Sequence, residues 1–109
     1  MNQISFDGRN LTADGYKQAI SSVNLTLNTW FHIVGVKAGL NQYIYVNGVQ
    51  TGSTTWTTPG SMATGNSITT AYGSDFLQCN ITDFRIYNRP LTPVEILAYY
   101  NNTKARFGL

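Results

Sequence analysis

Asn47-Gly48 stands between two strand-like runs, "QYIYV" and "VQTGSTT". The tight hairpin turn that matches strand twist needs positive φ at both central residues, and Asn-Gly tolerates this best. The chain must therefore reverse here as an antiparallel hairpin, which commits it to β-structure. Upstream, "NTWFHIVGVKA" alternates, with Trp30, His32, Val34 and Val36 on one face and Phe31, Ile33, Gly35 and Lys37 on the other. Both faces are largely apolar, which predicts a strand inside a sheet with cover on both sides. Ala38-Gly39-Leu40-Asn41 is short enough to be the hairpin connection to "QYIYV".

Further strands are expected at "NQISF", stopping at the Asp7-Gly8 turn dipeptide, and at "YKQAISSV" after Asp14-Gly15. Two more are expected at "SITTAYG" and "FLQCNITDFRIYN". One element breaks the pattern. Thr92 with Glu95 forms a capping box, Leu91 with Ile96 a hydrophobic staple, and Pro93 occupies the first helical position. A helix is predicted to run to Asn101-Asn102. At about ten residues it would not persist alone in water, so it must dock, closing an end of the core between two sheets.

At 109 residues the chain is one domain, and residues 103–109 read as a C-terminal tail. Charged residues make up 11% of it and the net charge is +2, too little and too dispersed for a nucleic-acid footprint. Cys79 is the lone cysteine, which rules out an internal disulfide and predicts a small buried residue. "MNQISFDGRN" shows no secretory leader, and no apolar run nears the ~20 residues of a membrane span. Sequons at Asn10, Asn24, Asn80 and Asn101 are read as chance in an Asn/Thr-rich chain.

"NTWFHIVGVKAGLNQYIYVNGVQTGS" followed by "ITDFRIYNRPLTPVEILAYYN" resembles the laminin-G-like jelly-roll domains of the concanavalin A-like superfamily. The likeness covers roughly residues 27–102. It rests on Trp30 and His32 before the Tyr45-Val46-Asn47-Gly48 hairpin, then Asp83, Arg85 and Tyr87 on a last strand, then Glu95-Ile96 in a helix. It implies an all-β antiparallel sandwich of two sheets with one short C-terminal helix. Thr82 and Cys79 depart from the family pattern, and the resemblance implies earlier strands that this chain lacks. An open sheet edge is therefore expected. The ending "YYNNTKARFGL" resembles the C-termini of such domains in bacteriophage virion proteins, which implies a virion-surface location and copies of itself or neighbouring virion proteins as partners.

Glycosidic chemistry requires paired carboxylates about 5–9 Å apart. Asp7, Asp14, Asp75, Asp83 and Glu95 offer no pair on one strand face, so no enzyme is expected. His32, in an apolar strand, reads as a packed, hydrogen-bonded residue. Asp83 and Arg85, two apart, read as an ion pair fixing the last strand, or with Asp83 as a calcium ligand. Calcium is otherwise expected only from loop oxygens of Asp75, Asp14 or Asn66, and six to eight oxygens are needed. Trp56, in a Thr/Gly-rich loop, would stack on a neutral glycan with Tyr72 or Tyr16 beside it, or else fold down over an apolar edge. Two functions follow: a structural module assembling through the open edge, and a carbohydrate-binding module.

Overall fold

The computed structural model describes residues 3–9, 15–57 and 78–109. Asn47 and Gly48 have φ of +51° and +80°, the type I′ turn that the dipeptide demands. They join β4 (Asn41–Val46) to β5 (Val49–Thr55), and β4 also pairs antiparallel with β3 (Ile33–Ala38). Gly39, at φ +59°, opens the two-residue turn between β3 and β4. The sheet order is β3-β4-β5, with β4 in the centre. β1 (Gln3–Arg9) and β2 (Tyr16–Asn24) form a separate antiparallel pair.

Asp7-Gly8 does not end its strand. Both residues stay in the ladder, opposite Gln18 and Lys17. The indole of Trp56 fills the space where a side chain at position 8 would lie, so this glycine serves close packing instead of a turn.

The β1–β2 pair covers one face of the three-stranded sheet. Phe6 lies flat against Gly35, whose missing Cβ makes room for the ring, and β2 crosses Gly52 with the Ile20 carbonyl directly over it. Ile44, 1% exposed, and Ala19, fully buried, belong to this layer. The opposite face carries Val34, Val36 and Ala38 of β3 with Tyr43 and Tyr45 of β4. Leu91, Ile96 and Tyr99 pack on it. The β3–β5 sheet is thus a middle layer, and the helix α1 (Pro93–Thr103) covers its outer face. The expected plug between two sheets is instead a third layer.

β3 is covered on the face of Val34, Val36 and Ala38, whereas Ile33, Gly35 and Lys37 on the other face are exposed, against the expectation of cover on both sides; among the described residues it lies at a sheet edge. The ladder ends at Ile33 opposite Val46. Beyond Val46 the chain turns away, so Trp30 and Phe31 have no ladder partner among the described residues. Asn47 closes this end: its backbone N–H donates to the His32 carbonyl at 2.8 Å and its Oδ1 accepts from the His32 N–H at 2.9 Å.

The helix start follows the sequence closely. Thr92 Oγ1 accepts from the Glu95 N–H, and Glu95 Oε1 accepts from the Thr92 N–H, each at 3.2 Å. Leu91 and Ile96 meet in the same buried cluster. The C-terminal end departs from it: the helix runs on to Thr103 and a 3-10 turn follows at Lys104–Phe107, closed by Gly108 at φ +70°. Phe107 packs on Trp30, with ring centroids 5.1 Å apart, so the expected tail is folded back on the domain.

The strand predicted at "FLQCNITDFRIYN" does not form in the part described. Residues 78–92 have no ladder partner among the described residues, and Asp83 takes φ +53°, which interrupts an extended run. Ile81, Phe84 and Ile86 are exposed, and so is Cys79, which the sequence predicts to be buried. The strand predicted at "SITTAYG" lies outside the described residues.

Candidate functional site

Trp56, at the end of β5, is 4% exposed. Of the two positions the sequence allows it, the ring takes the covering one. Its Nε1–H donates to Gln42 Oε1 at 3.0 Å, and Gln42 Nε2 donates to the Phe6 carbonyl at 2.5 Å. Gln42, 1% exposed, thereby satisfies a buried amide with one bond to β1 and one to the indole, as buried polar groups require. Lys37 Nζ sits 5.6 Å from the Trp56 ring and also donates to the Gly39 carbonyl. With its N–H engaged and its face covered, this indole offers no platform to a sugar. Tyr16 is half exposed on β2, and its hydroxyl donates to Asp7 at 2.6 Å. Tyr72, Asp75, Asp14 and Asn66 lie outside the described residues, so the third aromatic and all three loop calcium ligands are not placed.

Asp83 and Arg85 do not pair. The left-handed turn at Asp83 sends its carboxylate to Arg106, 2.5 Å away, while Arg85 lies over the Tyr99 ring at 5.9 Å. The guanidinium also hydrogen-bonds the Tyr87 phenol, which holds that phenol below its usual pKa; the Tyr99 hydroxyl adds to this. Tyr99 is raised, chiefly because it donates to Tyr87. The two rings are stacked, 6.2 Å between centroids. Arg89 grips Glu95 with both ends of its fork, at 2.8 and 2.6 Å. That guanidinium, with the Thr92 backbone N–H second, lowers the Glu95 carboxyl to about 2.

His32 lies half-buried beside Tyr100, with ring centroids 6.0 Å apart. Its Nδ1 is buried without a hydrogen-bond partner among the described residues, so the side chain is packed but not fully bonded. Burial lowers its pKa, and the Arg85 charge lowers it further. Each described carboxylate is engaged: Asp7 by Tyr16, Asp83 by Arg106, Glu95 by Arg89. Among the described residues no three His, Cys, Asp or Glu side chains gather as a metal site, and no helix is long and apolar enough to cross a membrane.

Sequence reasoning missed Gln42, Tyr99, Arg89 and Arg106. Gln42 carried a weak signal, a polar residue that shares a strand face with Ile44. Arg106, 23 residues from Asp83, carried none.

No curated protein sequence matches the chain. A solved structure of similar fold is that of residues 221–444 of an S-layer domain-containing protein from Clostridium thermocellum, 24% identical, with a TM-score of 0.54. The match covers 90% of this chain and 51% of that one, so the chain spans about half the length of that structure. The sequence model of the concanavalin A-like lectin/glucanases superfamily matches residues 1–97, reaching further upstream than the motifs quoted above. With five antiparallel strands in two sheets and a C-terminal helix among the described residues, and with the family model matching residues 1–97, the chain belongs to the concanavalin A-like lectin/glucanases superfamily.

Proposed function

We propose that this domain is a non-enzymatic surface module that assembles with copies of itself through the outer edge of β5. One observation carries the reading. Among the described residues β5 has a ladder partner only on its β4 side, and its sequence, "VQTGSTT", holds no charge and no proline. Edge strands are usually guarded by such residues; β3 at the other edge has Lys37, and β5 has nothing comparable. Beside β5 runs an apolar groove lined by Tyr45, Val49, Val94 and Leu97, with Val49 and Val94 largely exposed. Two copies meeting edge to edge would continue the sheet and bury this groove.

The absence of catalysis is part of the proposal and is supported by the engagement of each described carboxylate. A virion surface is the setting implied by the resemblance of the C-terminal ending. The S-layer domain-containing protein of similar fold suits a surface-layer role more broadly. Light scattering on a size-exclusion column at micromolar concentrations tests the edge. A dimer or larger species is expected, with Val49→Lys shifting it to monomer. A stable monomer for the unaltered chain refutes the reading.

A further inference from the structure

Residues 84–87 form a run outside any sheet. The run lies between the left-handed Asp83 and Pro90, and among the described residues it makes no backbone–backbone hydrogen bond. Side chains nonetheless fix it along α1. Arg85 lies over the Tyr99 ring and Tyr87 stacks on the same ring. Asp83 is tied to Arg106 at one end, and Arg89 to Glu95 at the other. Alternate residues of an extended chain point in opposite directions, so Phe84 and Ile86 are turned away from the helix. They are 61% and 66% exposed.

This run and the outer edge of β5 are complementary. Strand addition gives backbone partners to both, and the groove beside Val49, Val94 and Leu97 suits apolar side chains such as Phe84 and Ile86. Charge agrees. β5 carries none, nor do Phe84 and Ile86, while Asp83, Arg85 and Arg89 are held on the helix side. No ion has to leave water for the two surfaces to meet. Within one copy they stand apart. Leu97 borders the groove and Tyr99 holds the run. At about 100° per residue, two positions put them on opposite flanks of α1.

We propose that residues 84–87 of one copy add as a strand to the outer edge of β5 in a second copy, with Phe84 seated in its groove. The contact rests on the β5 edge proposed above and names what fills it. Each copy carries one inserting run and one receiving edge, on opposite flanks of α1. The contact therefore joins unlike surfaces, and copies assemble head to tail instead of as β5–β5 pairs.

Complementation between two variants, followed by light scattering on a size-exclusion column, provides the test. Val49→Lys blocks the receiving edge and Phe84→Lys the inserting run. Both positions are exposed, so each variant should keep the circular dichroism of the parent. Each alone should run at the monomer mass of 12.1 kDa. An equimolar mixture should run at twice that mass and stop there, because one intact run meets one intact edge. Ile86→Lys should behave as Phe84→Lys does, alone and in the mixture. The proposal is overturned if either variant of the run assembles like the parent, an outcome that leaves β5–β5 pairing standing. A mixture that stays monomeric overturns it as well. A parent chain that is itself monomeric removes the edge reading and this contact together.

Discussion

Replacing Gln42 by Leu tests how the layers are joined. Gln42 is wholly enclosed and makes two bonds, to the Phe6 carbonyl in β1 and from the Trp56 indole. Leucine has nearly the same bulk but leaves a buried carbonyl and a buried N–H without partners, at about 1–3 kcal/mol each. Apolar burial returns about 1 kcal/mol, so the net loss is about 1–5 kcal/mol. Against a total stability of about 5–15 kcal/mol, that is a large fraction. Urea unfolding followed by far-ultraviolet circular dichroism should show the midpoint falling with little change in slope. Trp56→Phe removes the donor that Gln42→Leu orphans, so the double variant should be more stable than the sum of the singles implies, by about 1–2 kcal/mol. A Gln42→Leu loss below ~0.5 kcal/mol, or strict additivity of the pair, refutes the claim that this amide ties the layers together.

Other outcomes follow from the same packing. Gly48→Ala should lose about 1–3 kcal/mol in the same assay, because φ is +80° and the new methyl would stand 3.0 Å from both Leu97 and Tyr100. Glu95 titrates at about 2 when folded, below its unfolded value near 4.3. Its contribution is therefore full above about pH 5 and fades as pH falls toward 2; thermal melts of Glu95→Gln should be flatter across that window than those of the parent. His32 has a folded pKa below its unfolded value, so the unfolded chain binds its proton first and stability drops as pH falls below about 6.5. An imidazole resonance titrating below that value in the folded protein is the expected reading, and one titrating above it contradicts the burial of Nδ1.

Local chemistry was the most readable part of this chain. The Asn47-Gly48 turn, the Gly39 turn and the Thr92–Glu95 capping box each depend on a few adjacent residues, and each appears where those residues stand. Strand alternation in β3 was equally plain, and the weaker signal of "YKQAISSV" also marks a strand, β2. What escaped was set by distant partners. Trp56 reads as a loop residue until Gln42 and Gly8, 14 and 48 positions away, are brought around it. Asp83 reads as the partner of Arg85 because they are near in sequence, and only the left-handed backbone at Asp83 separates them. Trp30 reads as part of a strand because alternation continues through it, although β4 ends before it can be paired. Period-two patterning says which way side chains face; it does not say which neighbour supplies the hydrogen bonds.

The stacking of β1–β2, the β3–β5 sheet and α1 gives this small domain two interiors on either side of one slab. Val36 and Tyr45 look toward the helix while Ile44 and Gln42 look away from it, so neither filling shares atoms with the other. Redesigning the helix-facing contacts should leave the opposite interior untouched. A scaffold of this kind lets one cover be rebuilt for a new purpose while the other keeps the slab standing.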